Sequence, residues 1–583
     1  MAKSARKPQP PSGGDAEGAF IFVPLGGTGE IGMNFNLYGC DGAWLAVDCG
    51  MGFTGPETPE AEILLPDPAF IAEQREALLG LVVTHAHEDH IGGIARLWPQ
   101  LRCPVYATPF AAAVLKRKLA EAGIGRELKL NVVPCGGHMR LGPFELRYYG
   151  FTHSTPEAQG LAITTPYGTV LHTGDWKLDP APVVGPATDE AALRALGDAG
   201  VLAMVSDSTN ATVEGHSGSE LDVKNSLEAL IMDLPGRVAV TCFASNVARL
   251  SSIISAAEAA GRHVCLVGRS LTTYIAAAQE AGYLKNVPDL LPEEMIGSIP
   301  DENLLLLVTG SQGEPRSALA RIAADSHRHA VLGEGDTVIF SSRVIPGNEL
   351  AVRKVRDALA RRGVNIITDN EEFTHVSGHP AQDELRRLYA LVRPKHIIPT
   401  HGEWRHLSTQ AAFAQHEGIP TVLVENGDVL QFAPGAPRVV DSVPTGRLAV
   451  DGDRILPLKG SVLAARRRML FNGVVMGSFA VDGQGRVVGT PRISGPGLLD
   501  EADGKTRLAY EAEFLEELND LPKGLRGDET AFTDAARAAL RRITGKRLGK
   551  RPLVEVHILH LGNIGAESEA LCIAQPKNKP IIA

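Results

Sequence analysis

The sequence has few cysteines, and they show no paired spacing. Seven occur among 583 residues, which is an odd number, and no two of them form a C-x-x-C pair. This pattern argues against a disulfide-stabilised secreted domain and against a thiolate zinc finger. It favours a reducing compartment, so we expect a cytoplasmic protein.

Long apolar runs and a positive net charge are also missing. No hydrophobic stretch reaches the roughly 18 residues that a transmembrane helix needs, so we expect no association with a membrane. The formal net charge is -11 at pH 7, so the surface as a whole does not attract nucleic acid. A nucleic-acid site must therefore be a local basic groove or be built around bound cations.

The N-terminus lacks the apolar core of a signal peptide. Residues 1–18 are polar and rich in proline and glycine, and we expect a disordered tail there. The full sequence has 44% hydrophobic and 21% charged residues. That composition and length predict a globular protein of roughly two to four domains.

Apolar runs that end in polar loops recur along the chain. FIFVPLGG, AWLAVDCG, LLGLVVTH and VLAMVSDSTN each predict a strand, and LAITTPYGTVLHTGD predicts a hairpin with a Tyr-Gly turn. From about Glu214 to Asn370, strand-like runs alternate with helical periodicity, which predicts a second α/β unit with parallel buried strands. The fold class is therefore α/β, with polar residues gathered at strand ends.

The last part of the chain, from about residue 461, is predicted to be a separate small α/β domain. It carries two basic clusters, Arg466–Arg468 and Arg541–Arg551, around an acidic helical stretch. Such charge runs are most often solvated faces, although they also suit RNA contact or a dimer interface.

One short segment concentrates residues that bind transition metals. LVVTHAHEDHIGG holds His85, His87, Asp89 and His90 directly after a predicted strand. Zinc and manganese at hydrolytic sites prefer imidazole nitrogen and carboxylate oxygen. An extended segment points His85 and His87 the same way, and the following turn brings Asp89 and His90 to a second position. Two positions suit two metal ions about 3.5–4 Å apart.

Three further residues complete two ligand sets. His153, Asp175 and His401 each follow an apolar run, where a lone histidine is more often structural than metal-binding. Because all three follow the first segment in this order, we interpret them as further metal ligands. In this interpretation Asp175 bridges the two ions. The predicted sets are His85, His87, His153 and Asp175 for one ion, and Asp89, His90, Asp175 and His401 for the other.

This ordered set resembles the metallo-β-lactamase superfamily, and the second α/β unit resembles the domain inserted in its β-CASP nucleases. The resemblance implies an αββα sandwich with a metal crevice at its edge. The implied divisions are residues 19–213 and 371–460 for the sandwich and its linker, 214–370 for the inserted β-CASP α/β domain, and 461–583 for the C-terminal α/β domain.

The additional β-CASP motifs are matched by Asp207 in SDSTN, His379 in FTHVSGHP and His401 in PTHGEW. A histidine at the third of these positions goes with RNA-processing members of the group. With HEDHIGG, HTGDWKLD, TCFASNVARL, TGSQGEP and SSRVIPGNE, the chain resembles the ribonuclease J family from about Phe20 to Gly452. The resemblance extends more loosely to the C-terminal part.

The resemblance implies a two-metal ribonuclease of bacterial cytoplasm. Such an enzyme degrades RNA from the 5′ end, prefers a 5′-monophosphate, also makes internal cuts, and acts in mRNA turnover and ribosomal RNA maturation. The implied cofactors are two divalent ions per chain, zinc first, with manganese or magnesium as alternatives. The implied partners are single-stranded RNA, a second or further copy in a homodimer or homotetramer, and an RNA-decay complex.

The resemblance also assigns roles to residues outside the ligand sets. His379 is the general acid for the leaving 3′-oxygen, oriented by Asp207, and Asp89 counts as both ligand and catalytic residue. Asp207 in SDSTN also suits a plain helix cap or turn. The phosphate of the 5′-side nucleotide is expected on two segments that would otherwise be an N-cap and a tight turn. These residues are Ala244, Ser245, Asn246, His375, Val376, Ser377, Gly378 and His379.

Four other functions share parts of this pattern. The main alternative is a catalytically weak RNA-binding partner subunit of a paralogous ribonuclease J, although all proposed ligands are present. A thioester hydrolase of the glyoxalase II kind would need neither SDSTN nor HVSGHP. A secreted β-lactamase would need a signal peptide, and a DNA nuclease of the group would carry an apolar residue in place of His401.

Overall fold

The computed structural model describes residues 18–53, 61–500 and 503–561. The predicted N-terminal tail lies, but for Gly18, outside these ranges, as does Cys572. The chain divides into two compact units, one ending at Pro457 and one beginning at Leu458. None of the helices in the described ranges combines the length and hydropathy needed to cross a bilayer.

The first part of the chain is rich in short strands with helices between them. Its strands are β1 Phe20–Gly26, β2 Thr28–Gly29, β3 Phe35–Cys40, β4 Ala43–Val47, β5 Gly52–Phe53, β6 Ile63–Pro66, β7 Leu78–Val82, β8 Val105–Ala107, β9 Leu130–Val132, β10 His138–Leu141, β11 Phe144–Gly150, β12 Gln159–Thr165, β13 Gly168–His172 and β14 Ala203–Asp207. Its helices are α1 Ala69–Ala72, α2 Glu88–Ile91, α3 Ile94–Leu101, α4 Pro109–Glu121 and α5 Glu190–Ala199.

The middle part alternates helices and strands. Its helices are α6 Glu220–Asp233, α7 Val247–Ala259, α8 Arg269–Glu280, α9 Ala318–Ala323 and α10 Glu349–Ala360. Its strands are β15 Val238–Thr241, β16 His263–Val267, β17 Leu291–Pro292, β18 Leu304–Val308, β19 Thr337–Phe340 and β20 Asn365–Ile367.

The chain then returns to the first part and ends in the second unit. The returning elements are α11 Gln382–Val392, β21 Ile397–Thr400, β22 Gly402–Glu403, α12 Trp404–His416, β23 Asp428–Ala433, β24 Arg438–Ser442, β25 Arg447–Asp451 and β26 Arg454–Pro457. The second unit comprises α13 Ser461–Asn472, β27 Val474–Val481, β28 Val487–Ser494, α14 Gly504–Asp520, α15 Glu529–Leu548 and β29 Leu553–His560.

Two sheets form the centre of the first unit. One has eight strands in the order β24-β23-β1-β3-β4-β7-β8-β9, and the other has six in the order β10-β11-β12-β13-β14-β21. Strand β1 is buried along its whole length. Its Phe20 and Phe22 pack between the sheets with Phe144 and Tyr148 of β11. Side chains alternate along a strand, so the residues between them face the helices outside.

Helices cover the outer face of each sheet. Helices α3 and α4 bury their apolar residues on the eight-stranded sheet, and α5, α11 and α12 do so on the six-stranded sheet. The result is the predicted αββα sandwich. Each sheet is buried on both faces, which explains why its central strands are nearly continuous apolar runs.

The inserted domain is a parallel sheet between two layers of helices, as its sequence pattern predicts. Its strand order is β17-β16-β18-β15-β19-β20, and every recorded pairing in it is parallel. Val238 and Val240 of β15 pack towards α6 and α7, whereas Ala239 packs towards α9 and α10. The carboxyl ends of all these strands therefore meet at one edge, where ligands bind in such sheets.

The second unit is a small α/β domain with its own core. Strand β27 pairs antiparallel with β28 and parallel with β29, and α14 and α15 pack on this sheet. Part of the predicted basic cluster at 541–551 is neutralised by the acidic helix α14, because Arg542 pairs with Glu517 and Arg547 with Glu513. These pairs favour the solvated-face interpretation of that cluster.

The predicted hairpin forms, but its turn lies one residue earlier than expected. Thr165 pairs with Gly168, so the two loop residues are Pro166 and Tyr167, and Gly168 is already in β13. Proline has the backbone φ angle that the second position of a turn requires. The Tyr-Gly turn of the sequence prediction is therefore wrong by one position.

Candidate metal centre

The seven predicted ligands converge at one edge of the sandwich. His85 to His90 follow β7 of one sheet, whereas His153, Asp175 and His401 follow β11, β13 and β21 of the other. Strands β13, β14 and β21 are parallel neighbours, so their carboxyl ends lie side by side. Four loops that are distant in sequence thus meet at the ends of the two sheets.

The first group of potential ligand atoms consists of those of His85, His87, His153 and Asp175. His87 Nδ1 lies 3.1 Å from both His85 Nε2 and His153 Nε2. Asp175 Oδ2 lies 3.7 Å from His85 Nε2 and 3.8 Å from His153 Nε2. Atoms bound tetrahedrally at zinc–nitrogen distances of about 2.0–2.1 Å lie about 3.3–3.4 Å apart. The four separations lie on either side of that value, between 3.1 and 3.8 Å.

Asp89, His90, Asp175 and His401 form the second group. His401 Nε2 lies 3.1 Å from Asp89 Oδ2, and His90 Nε2 lies 3.5 Å from that oxygen. Asp175 Oδ1 lies 3.3 Å from His90 Nε2 and 3.6 Å from His401 Nε2. One carboxylate thus presents Oδ2 to the first group and Oδ1 to the second.

The residues of both groups fit divalent cations by chemistry as well as by distance. Asp175 is 2% exposed, and its Oδ1 accepts no hydrogen bond from any of the described residues. A buried carboxylate oxygen without a partner is costly, because it has lost water and gained nothing in return. A cation between Oδ1 and the neighbouring imidazole nitrogens would satisfy it.

Each histidine predicted to be a ligand uses its other ring nitrogen for a hydrogen bond. The pairs are His85 Nδ1 with Thr84 Oγ1 at 3.0 Å, His87 Nε2 with Ser154 Oγ at 3.3 Å, His90 Nδ1 with Asp48 Oδ2 at 2.7 Å, His153 Nδ1 with the Gly378 carbonyl at 2.6 Å, and His401 Nδ1 with Thr209 Oγ1 at 2.7 Å. Such partners fix the tautomer and orientation of metal-binding imidazoles.

The histidines of the first group are held in the form that binds metal. Burial is the main cause that lowers the pKa of His85, His87 and His153, and it brings the pKa of His87 to about 4. Neighbouring imidazoles lower these pKa values further. All three rings are therefore neutral at physiological pH, with lone pairs available to a cation.

The second group has the opposite electrostatics. Burial acts to lower the pKa of His401, but the carboxylates of Asp175, Asp89 and Asp207 outweigh it and raise the pKa to about 9. The pKa of His90 is likewise raised, against burial, by Asp175, Asp89 and Asp48. This half of the site therefore attracts positive charge.

His379 and Asp207 lie together beside the two groups. Nδ1 of His379 donates to Asp207 Oδ2 at 2.7 Å, and Asp207 Oδ1 accepts from the Thr209 backbone at 2.9 Å. The His379 side chain is 22% exposed, whereas that of His401 is 4% exposed. Asp207 raises the pKa of His379 although burial opposes it.

The predicted phosphate-binding residues lie in two loops. Ala244, Ser245 and Asn246 link β15 to α7, and the Asn246 side chain caps α7 by accepting from the Arg249 backbone at 2.9 Å. In the loop 374–379, Ser377 Oγ accepts from Asn210 Nδ2 at 2.7 Å. A side chain at Gly378 would come within 2.8 Å of the His153 ring, so only glycine allows this approach to a ligand.

The structure adds residues that the sequence analysis missed. Asp48 follows β4, the parallel neighbour of β7, and accepts from the Thr84 backbone and hydroxyl at 2.8 Å each as well as from His90. The available signal was its place at the end of an apolar run, AWLAVD. Thr209 of the SDSTN motif hydrogen-bonds His401 Nδ1 and so orients that ring. The sequence analysis had assigned a role only to Asp207 in this motif.

Four family profiles match successive parts of the chain. The metallo-beta-lactamase superfamily matches residues 37–238, and the ribonuclease J beta-CASP domain matches 235–359. The Zn-dependent metallo-hydrolase RNA specificity domain matches 363–424, and the ribonuclease J C-terminal domain matches 461–561.

Curated relatives match over nearly the full length. Ribonuclease J of Sinorhizobium meliloti is 43% identical over 546 residues, which cover 92% of this chain and 97% of the relative. Ribonuclease J of Mycolicibacterium smegmatis is 38% identical over 567 residues, covering 95% and 99%. Among solved structures, a protein of unknown function from Enterococcus faecalis shares the fold, with a TM-score of 0.50, 16% identity, and coverage of 71% of this chain and all of that one.

Replacing Asp48 by asparagine tests the support of His90. The amide keeps the shape but loses the charge that accepts from His90 Nδ1, so we expect metal affinity to fall about 10–100-fold, as measured by competition with a chelator. Asp41→Asn is the matched control, because Asp41 lies at the other end of β4 and also has a positive φ. Equal affinities in the two variants would contradict a role for Asp48.

Asp175→Ala tests the shared carboxylate. Because its two oxygens face different groups, the variant should lose metal from both together with all measurable hydrolysis, as shown by elemental analysis of the purified protein. Asp198→Ala, on the exposed face of α5, serves as control. An unchanged metal-to-protein ratio would disprove the bridging assignment.

Proposed function

The chain belongs to the ribonuclease J family, and from that premise we propose that it is a 5′→3′ exoribonuclease that prefers 5′-monophosphorylated RNA and also makes internal cuts. Membership makes it a metal-dependent hydrolase of RNA. The observation that carries the finer proposal is the His379–Asp207 pair beside the two groups of ligand atoms.

The ligands of the two groups suit two divalent ions, zinc first, with manganese or magnesium as alternatives. When bound, such ions would acidify a water molecule and offset negative charge on the phosphoryl oxygens. The protein contributes neutral imidazoles in the first group and several neighbouring carboxylates in the second. Asp89 belongs to both the ligands and the catalytic residues in this proposal.

His379 is the proposed general acid. Its Nδ1 donates to Asp207, so its Nε2 is the nitrogen that remains to hold a proton for the leaving 3′-oxygen. Its greater exposure relative to the ligand His401 supports contact with substrate. Asp207 is itself fixed by the Thr209 backbone, so it holds the ring in one tautomer and one direction.

The proposed 5′-phosphate pocket joins the two loops named above. Ala244, Ser245 and Asn246 contribute from the start of α7, and residues 375–379 contribute from the chain that leaves the inserted domain. Arg249 Nη1 of α7 lies 3.5 Å from His375 Nδ1, which places the two loops side by side. Backbone amides and small polar side chains at such a position suit a phosphate group.

The wider role is proposed from the family resemblance. Single-stranded RNA is the substrate, in mRNA turnover and ribosomal RNA maturation, and the working form is a homodimer or homotetramer in contact with an RNA-decay complex. The alternative of a catalytically weak partner subunit is not favoured, because the ligand residues and His379 are in place together.

The first experiment compares one RNA with a 5′-monophosphate, a 5′-triphosphate or a 5′-hydroxyl, alongside a matched DNA strand, with added Mn²⁺ or Zn²⁺. We expect mononucleotides to be released fastest from the monophosphorylated RNA. Internal cuts that ignore the 5′ group would remove the phosphate pocket from the proposal. No cleavage with metal bound would favour the weak partner subunit.

His379→Ala should lower kcat about 10²–10⁴-fold, the range for a lost general acid, and leave metal content intact. Single-turnover cleavage and elemental analysis of the same sample measure the two effects. His416→Ala is the control, because that histidine is 86% exposed on α12. Loss of metal from the His379 variant would move His379 into the ligand set.

A further inference from the structure

A buried ion pair lies where the chain enters the inserted domain. Arg249 of α7 is fully buried and donates to Glu220 of α6 through Nη2 at 2.9 Å and Nε at 3.1 Å. The pair is therefore bidentate, a geometry that arginine forms and lysine does not. Two buried charges are tolerated only where every remaining polar atom also finds a partner.

The remaining nitrogen of Arg249 is directed to the chain that leaves the domain. Nη1 donates to the Ser341 carbonyl at 2.9 Å, to Ser341 Oγ at 2.7 Å and to the Thr374 carbonyl at 3.0 Å. Ser341 Oγ in turn donates to the same Thr374 carbonyl at 2.8 Å. Thr374 is the first residue of the loop 374–379, which carries His375 and His379.

Through Glu220, the ion pair is also connected to the segment that follows β13 and carries Asp175. Its backbone N–H donates to Asp179 Oδ2 at 2.9 Å, and Asp179 pairs with buried Lys177 at 3.3 Å. Lys177 lies two residues from Asp175, and its backbone N–H donates to the Thr152 carbonyl at 2.8 Å, next to His153. Buried contacts thus run from the ligand segment to the loop 374–379.

We propose that Arg249 is a positioning residue for 5′-end recognition. It holds the backbone at Thr374, and with it His375 and Val376 at the start of the loop 374–379, at a set distance from the start of α7 and from the segment of Asp175. The inference rests on the proposed phosphate pocket, because the two loops that Arg249 joins are the two halves of that pocket. Arg249 itself contacts neither the ligands nor the reacting atoms.

A positioning role has a signature that general stabilisation lacks. If the first residues of the loop shift, the 5′-phosphate loses contacts. Gly378 and His379 stay in place, because Asn210 Nδ2 donates to Ser377 Oγ and to the His379 carbonyl, and His379 donates to Asp207. The loss should therefore fall on KM for 5′-monophosphorylated RNA and spare 5′-hydroxyl RNA. Loss of one well-placed set of hydrogen bonds corresponds to about a tenfold change in KM.

Two mild variants test this, because removing the charge of Arg249 outright would leave Glu220 unpaired in the interior. Arg249→Lys keeps the positive charge but cannot form the bidentate pair with Glu220. Ser341→Ala removes only the hydroxyl that contacts both Arg249 and Thr374. Ser252→Ala is the matched control. Ser252 is a fully buried serine in α7, and within the described ranges its Oγ donates only to the Ala248 carbonyl of the same helix.

The measurements are KM and kcat on RNA with a 5′-monophosphate or a 5′-hydroxyl, metal content, and hydrogen exchange of the full chain. Both variants should raise KM for the phosphorylated RNA about tenfold and leave kcat and the hydroxyl substrate within about twofold. Metal content should not change, and peptides covering 374–379 should exchange faster than in wild type or Ser252→Ala.

Equal losses on both RNAs, or a loss of metal, would show a purely structural role and overturn the inference. So would unchanged kinetics together with unchanged exchange at 374–379. A wild-type enzyme that ignores the 5′ group would instead refute the proposed function. Exchange would then decide whether Arg249 holds the loop, since that readout needs no substrate.

Discussion

The architecture of the site depends on one buried carboxylate shared by two sets of imidazoles. Asp175 turns one oxygen to each set, and neither oxygen can be solvated at this depth. A carboxylate in that position is stable only if positive charge reaches both of its oxygens. The neighbouring features follow from this need: neutral histidines on one side, additional carboxylates on the other, and a hydrogen-bond partner behind each ring.

The two-sheet sandwich is suited to this constraint because it delivers strand ends, which are rigid, to one edge. The ligands come from four different strands of two sheets, and short loops leave them little freedom. His401 even adopts a left-handed backbone, with φ of 51°, held by its N–H bond to the Gly27 carbonyl at 2.7 Å. Such strain at a non-glycine residue persists only where the surroundings determine it.

The convergence of the seven predicted ligand residues could be foreseen from sequence because most of them stand in one dense motif or beside a recognisable strand end. The sandwich and the inserted parallel sheet followed from apolar periodicity and from family resemblance. Asp48 also ends an apolar run, but neither its role nor that of Arg249 could be found in this way. Their partners lie 42 and 125 residues away, and the contacts depend on strand register and helix orientation. The hairpin turn was misplaced by one residue, since proline and glycine both suit turns.

The order of the ligands along the chain has a consequence for biosynthesis. His85 to Asp175 precede the inserted domain, but His401 directly follows β21, which must pair beside β14 after that whole domain has been made. A nascent chain can therefore assemble the first set of ligands early, while the second set stays incomplete. The two-set centre is therefore completed only late in synthesis, so a chain still attached to the ribosome can hold one complete set of these residues but not both.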